Sequence, residues 1–214
     1  MENIGINLVV LLVGIILFCI IFLTQQRKVA FANVETLMQG LASNFNLHLQ
    51  TSYGWLNRFF NEYPSVYSLR HGQPMQAFIS EKIQGSLTEH YFCILLESSS
   101  YQFPEVSIEK KTSLRSLVKK TFRGQKAKSQ NLIHKFSIKS QDSTFVSLFW
   151  QNQAIQAALT QAYSDIRGKF EIKQGTIQYR ELVQLPELQH ENQERLGRLM
   201  QLVQQMAVQM NHMN

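Results

Sequence analysis

"MQAFISEKIQGSLTEHYFCILLES", from Met75 to Ser98, decides the fold. Two β-rich runs flank Gln84-Gly85, and glycine supplies the positive φ that a tight hairpin turn requires. In the second run Phe92, Ile94 and Leu96 share one face, while Tyr91, Cys93 and Leu95 share the other. Side chains of a strand alternate, so this strand is apolar on both sides. That pattern predicts a central strand covered on both faces.

Further strands follow. "EVSIEKK" (105–111) points Val106 and Ile108 inward, and "LIHKFSIKS" (132–140) and "TFVSLFW" (144–150) read as strands. "GKFEIKQGTIQYREL" (168–182) is the clearest hairpin, with Phe170 and Ile172 alternating before Gln174-Gly175 and Ile177 and Tyr179 after it. Helical spacing appears in "VETLMQGLASNFNLHL", through Val34, Leu37, Met38, Leu41 and Phe45, and in "QNQAIQAALTQAY", through Ile155, Ala158, Leu159 and Ala162. "YGWLNRFF" (53–60) extends the first of these or starts a short helix, and Gln73-Pro74 marks a loop. After Pro186, Leu196, Leu199, Val203, Met206, Met210 and Met213 recur every three or four residues. This is the apolar stripe of a long helix that docks on the sheet or, as a second reading, pairs subunits. The sum is an α+β class: one mainly antiparallel sheet with packed helices and a long C-terminal helix.

Upstream, residues 4–23, "IGINLVVLLVGIILFCIIFL", carry no charge. Twenty helical residues span about 30 Å, the thickness of bilayer hydrocarbon, and a lipid-exposed backbone satisfies itself only as a helix or a closed barrel. Arg27 and Lys28 follow the segment, whereas Glu2 alone precedes it. The positive-inside rule therefore puts the C-terminal side in the cytoplasm, N-out and C-in. "AFA" (30–32) has the form of a signal-peptide cleavage site. Against cleavage stand the missing basic n-region, the length of the apolar stretch, and Arg27 and Lys28 before the site. The expected organisation is an anchor with its basic flank at 1–32 and one domain at 33–214.

Charge is local. The chain carries +6, yet "KKTSLRSLVKKTFRGQKAK" (110–128) holds eight of the 21 Lys and Arg and no acid. The remaining 13 bases stand against 15 acids. With Thr112 or Ser113 as cap, Leu114, Leu117, Val118 and Phe122 gather within an arc of about 140°, opposite Arg115, Lys119, Lys120 and Arg123. Three readings compete for Lys110, Lys111, Arg115, Lys119, Lys120, Arg123, Lys126 and Lys128. The first is the wet face of a core-docked helix. The second is contact with anionic lipid, to which an anchor would hold the domain close. The third and weakest is nucleic acid, since stacking aromatics and binding signatures are missing.

No catalytic chemistry stands out. The ten glycines form no phosphate loop, no CxxC occurs, and the six histidines make no close ligand pair. His90 and Cys93, three apart on a strand, point to opposite faces and cannot act as a thiolate–imidazole pair. Cys19 and Cys93 read as small buried hydrophobes. Glu191 and Glu194 suit the first turn of the last helix, where acids favour the dipole. No catalytic residue, cofactor or metal is expected.

The order of anchor, hairpins, "HKFSIKSQDSTFVSLFWQNQAIQAAL", "GKFEIKQGTIQYREL" and final helix, mainly over 133–210, resembles bacterial single-pass membrane proteins with a cytoplasmic domain of unknown function. The resemblance implies an α+β domain at a bacterial inner membrane and carries over no site residue. The expected function is a non-enzymatic interaction or scaffold protein. It would hold a protein partner, or itself as a homo-oligomer, at the membrane. The alternative is a lipid- or nucleic-acid-binding module working through the basic segment, and a membrane enzyme is third.

Overall fold

The computed structural model describes residues 2–51, 63–68, 74–85, 87–97, 104–111, 135–188 and 191–211, with side chains from residue 11 onward except that of Glu191. The expected second helix at 53–60 and most of the basic segment lie outside these residues.

One long helix, α1 (Glu2–Phe45), opens the chain. It ends where Asn46 turns to φ 51° and the Leu47 N–H donates to the Ala42 carbonyl at 2.9 Å. This six-to-one bond across a left-handed residue is a Schellman stop, and Asn tolerates that conformation better than most residues. Eight strands follow among the described residues: β1 (His48–Gln50), β2 (Ser65–Ser68), β3 (Met75–Gln84), β4 (Leu87–Glu97), β5 (Val106–Lys110), β6 (Phe136–Ser140), β7 (Lys169–Lys173) and β8 (Thr176–Val183). They form one antiparallel sheet in the order β1-β2-β3-β4-β8-β7-β5-β6. Both expected hairpins are present, with positive φ at Gly85 and at Gln174-Gly175.

Among the described residues, helices α2 (Ser143–Gln151), α3 (Gln153–Gln161) and α4 (Glu191–Asn211) accompany the sheet, with a 3-10 turn at Leu185–Glu187. The reading of "TFVSLFW" as a strand is corrected: it forms α2. Asp142 caps it, its Oδ1 accepting from the Phe145 N–H at 2.9 Å. Phe145 and Phe149 then fall one turn apart on the buried face. Cap and packing together outweigh the strand propensity of Thr, Phe and Val. Asn152 ends α2 and caps α3 by accepting from Ala154 and Ile155.

The core lies on one sheet face. Phe92, Ile94 and Leu96 of β4, Ile177 and Tyr179 of β8, and Phe170 and Ile172 of β7 meet Val34, Leu37, Met38 and Leu41 of α1 and the stripe of α4. Within that stripe Leu196, Leu199, Val203, Met206 and Met210 are buried in the chain's own core. Met213 lies outside the described residues. β4 is central, as its composition suggests, but the described helices cover only its Phe92 face. On the other face Cys93 sits between its ladder neighbours Phe78 and Arg180, with Ser80 Oγ 3.4 Å from its sulfur. Burial raises the pKa of the Cys93 thiol, so its reactive thiolate is suppressed. Cys19, expected to be buried, is exposed on α1.

A buried ionic cluster ties α4 to β8. Glu181 shares the core face with Tyr179, and Arg195 reaches it with two nitrogens at 2.9 and 2.5 Å. The Tyr179 hydroxyl donates to Glu181 at 2.6 Å and accepts from the Arg167 and Gly168 N–H groups. Beside this, Arg198 holds Asp165 through two bonds at 2.7 and 3.2 Å. The hydrogen bond from Arg198 lowers the Asp165 pKa against the opposing effect of burial. A depressed carboxylate contributes stability that is complete above its unfolded value, about 3.9, and is lost as pH falls through the lower folded value. The full chain is therefore expected to unfold at falling temperature below about pH 4, with a shallower acid decline in Asp165→Asn. Scanning fluorimetry at neutral and acid pH tests this, and equal declines would refute the assignment.

Candidate functional site

Along α1 the environment changes while the backbone does not. The large apolar side chains from Leu11 to Leu23 are exposed. From Ala30 onward Val34, Leu37, Met38 and Leu41 are buried. The helix is long and apolar enough to cross a membrane, and the apolar part of it touches none of the domain core. An exposed apolar surface of this extent calls for a nonaqueous partner. The "AFA" stretch at 30–32 lies inside the same unbroken helix, and Ala30 is a core residue.

α1 enters the domain at a definite end of the sheet. Phe31 stacks on Tyr63 at 6.3 Å, and Tyr63 meets His90 edge-on at 6.0 Å. His90 pairs with Glu81 across the β3–β4 ladder, their side chains 3.1 Å apart, and with Val183 across the β4–β8 ladder. Asn33 donates to the Leu185 and Pro186 carbonyls just beyond β8. Burial, then the Glu81 charge, push the Tyr63 phenol up to about 12, while Arg27 pulls it the other way. Arg27, the first cation after the apolar segment, is thus an electrostatic neighbour of the domain. On its way down the sheet α1 packs closely on α4. A Cβ on Gly40 would meet the Gln193 side chain at 2.2 Å, and one on Gly197 would meet the Phe45 ring at 2.0 Å.

The same end of the sheet gathers cations. Arg180 of β8 pairs with Lys169 of β7, and Lys169 with Glu109 of β5, so Lys110 and Lys111 leave the sheet at the end where α1 enters. A cleft of about 620 Å³ there is lined by Lys82, Lys110, Arg167, Lys169 and Arg180 against the acids Glu109 and Glu181, together with Tyr91. Arg180 stacks 3.8 Å over the Tyr91 ring, a geometry that suits the guanidinium plane. Of the eight predicted polyanion contacts, the described residues include Lys110 and Lys111 alone. Lys110 is largely spent within the fold. Its ammonium donates to the Tyr163 carbonyl at 3.0 Å and lies 4.0 Å over that ring, with Lys135 at 4.9 Å. Burial, then the Lys135 charge, lower its pKa. Lys111 is exposed. Arg115, Lys119, Lys120, Arg123, Lys126 and Lys128 lie outside the described residues.

No family model, curated protein or solved structure matches this chain. Its chemistry must be read from the residues themselves. Among the described residues no group of three His, Cys, Asp or Glu side chains is placed to hold a metal ion. His90 is engaged with Glu81 and faces away from Cys93, as the strand alternation requires. What this end of the molecule combines is an apolar helix, an aromatic collar and an excess of positive charge. Sequence reading missed Lys82, Lys169 and Arg180 as part of it, because only the sheet order brings β3, β7 and β8 alongside β5.

Proposed function

We propose that this chain is a non-enzymatic interaction protein of the bacterial inner membrane. α1 crosses the bilayer N-out and C-in, and the sheet domain stands on the cytoplasmic surface as a holder for a protein partner. The observation that carries this reading is the continuity of α1 from an exposed apolar span into the domain core. A helix that serves both as anchor and as core element fixes the height and tilt of the domain, which a flexible linker would not. A protein that must present one face to a partner at the membrane gains from that constraint, because less orientational freedom is lost on binding. Arg27 and Lys28 favour the cytoplasmic side.

A second reading rests on the cationic end. Lys82 and Lys111 lie at the end of the sheet where α1 enters, Lys169 being ion-paired with Glu171, and the segment from Lys110 onward begins there. Each Lys or Arg near an anionic leaflet adds about 1 kcal/mol of attraction, so lipid headgroups are the natural counter-surface.

Membrane fractionation tests the primary reading. The full chain is expected to stay with membranes in alkaline carbonate and to leave them only in detergent. A cysteine placed at the exposed Gln205 is expected to react with an impermeant maleimide only after the inner membrane is opened. Extraction by carbonate alone would refute the anchor, and labelling in intact spheroplasts would reverse the topology.

A further inference from the structure

The β3–β4 hairpin extends beyond the point where α1 enters the domain. Gln84 pairs with Leu87, and Gly85 at φ 62° makes the turn. Ile83 and Leu87 flank this turn and are 75% and 70% exposed. Among the described residues they are the most exposed large apolar side chains, more so than any in the apolar span, where Phe18 reaches 68%. They belong to opposite sheet faces, because Ile83 follows the register of Ile79 and Leu87 that of Tyr91. The tip is thus apolar on both sides and touches none of the core. The turn itself, Gln84-Gly85-Ser86, is polar in the ordinary way, but two large apolar side chains left bare on the strand ends beside it are an association hazard.

Its height explains the composition. Phe31 reaches the neighbourhood of His90 through the Tyr63 ring, at 6.3 and then 6.0 Å. From His90 the hairpin runs three residues to Leu87 and five to Gly85, or about 10 and 16 Å. From Phe31 back to Leu23, the end of the apolar span, α1 runs eight residues, or about 12 Å. By these lengths the tip and the end of the span reach comparable distances from the Tyr63 contact, on the side where Arg27 acts on Tyr63. Lys82, beside Ile83 and opposite Glu89 in the ladder, and Lys28, beside Arg27, bring cations to that end.

We infer that the β3–β4 hairpin is a second membrane contact: Ile83 and Leu87 enter the interfacial layer of the leaflet from which α1 emerges. This rests on the anchor reading. With the helix as a first attachment, the hairpin binds intramolecularly and needs little affinity of its own. Two attachments at separate points also prevent the domain from rotating about the α1 axis.

The test uses the full chain in vesicles of mixed zwitterionic and anionic phospholipid. In a Cys19→Ala background, where Cys93 is buried, single cysteines at Ile83, Leu87, Ile15 and Glu97 carry an environment-sensitive fluorophore. Nitroxide lipids quench at headgroup or mid-chain depth. Labels at 83 and 87 are expected to shift to the blue and to be quenched most strongly from headgroup depth. The label at 15 should be quenched from mid-chain, and the one at 97, at the far end of the sheet, should stay aqueous. Aqueous emission at 83 and 87 would overturn the inference. The label at 15 then decides whether the anchor falls too. A blue shift at 83 and 87 without nitroxide quenching would also overturn it, by assigning the tip to a second copy of the chain.

Discussion

Arg195→Met is expected to destabilise the chain by about 3–5 kcal/mol. Arg195 is the bidentate partner of Glu181, whose side chain is 1% exposed, and it also donates to the Asp165 carbonyl at 2.9 Å. Removing it leaves a carboxylate in the core with the Tyr179 hydroxyl as its remaining described partner. A buried charge without its counter-ion bears a desolvation cost that the pair's attraction had offset. The double variant Glu181→Leu with Arg195→Met is expected to recover most of the loss, because an apolar pair of similar volume needs no compensation. Urea unfolding of the full chain in detergent micelles, followed by tryptophan fluorescence, compares the three proteins. A loss under about 1 kcal/mol in the single variant would show that the pair does not hold α4 to β8.

Val29→Pro is expected to separate the anchor from the domain without unfolding either. Val29 is exposed, one residue before the first core residue, Ala30. Proline there removes the N–H that bonds to the Gln25 carbonyl and clashes with that turn, at about 3 kcal/mol. That is roughly a hundredfold rise in local opening. The core from Val34 onward keeps its contacts, so the unfolding midpoint in micelles should change little. Spin labels at Ile15 and Glu97 are expected to give one narrow distance distribution in the parent protein and a broad one in the variant. A distribution unchanged by proline would mean that the domain is held by something other than α1.

The hairpins were legible because turn chemistry and alternation agree locally. Gly85 and Gly175 sit where tight turns need positive φ, and the residues around them alternate. α2 was not, because the strand propensity of "TFVSLFW" is visible residue by residue, whereas the Asp142 cap counts only once Phe145 and Phe149 have a core to meet. The boundary drawn at residue 32 follows a change of composition. The helix ignores it, because its hydrogen bonds are internal and continue across a change of solvent. The phase of Ala30, Val34, Leu37, Leu41 and Phe45 already carried the helix back through that boundary. Glu181 left a trace as an acid in register with Ile177 and Tyr179, but its partner lies 14 residues away on another element. The cationic end was only half visible. The run from Lys110 is plain in the sequence, while Lys82, Lys169 and Arg180 join it through β3-β4-β8-β7-β5 adjacency, which no local pattern encodes.

Hydrogen exchange over Thr24 to Asn33, with the full chain in lipid bilayers, tests most directly whether one uninterrupted helix joins bilayer to core. Slow exchange throughout this stretch, continuous with the protection of Val34 to Leu41, is the expected result. Rapid exchange between Thr24 and Ala32, flanked by protected segments on both sides, would reveal a hinge and contradict it.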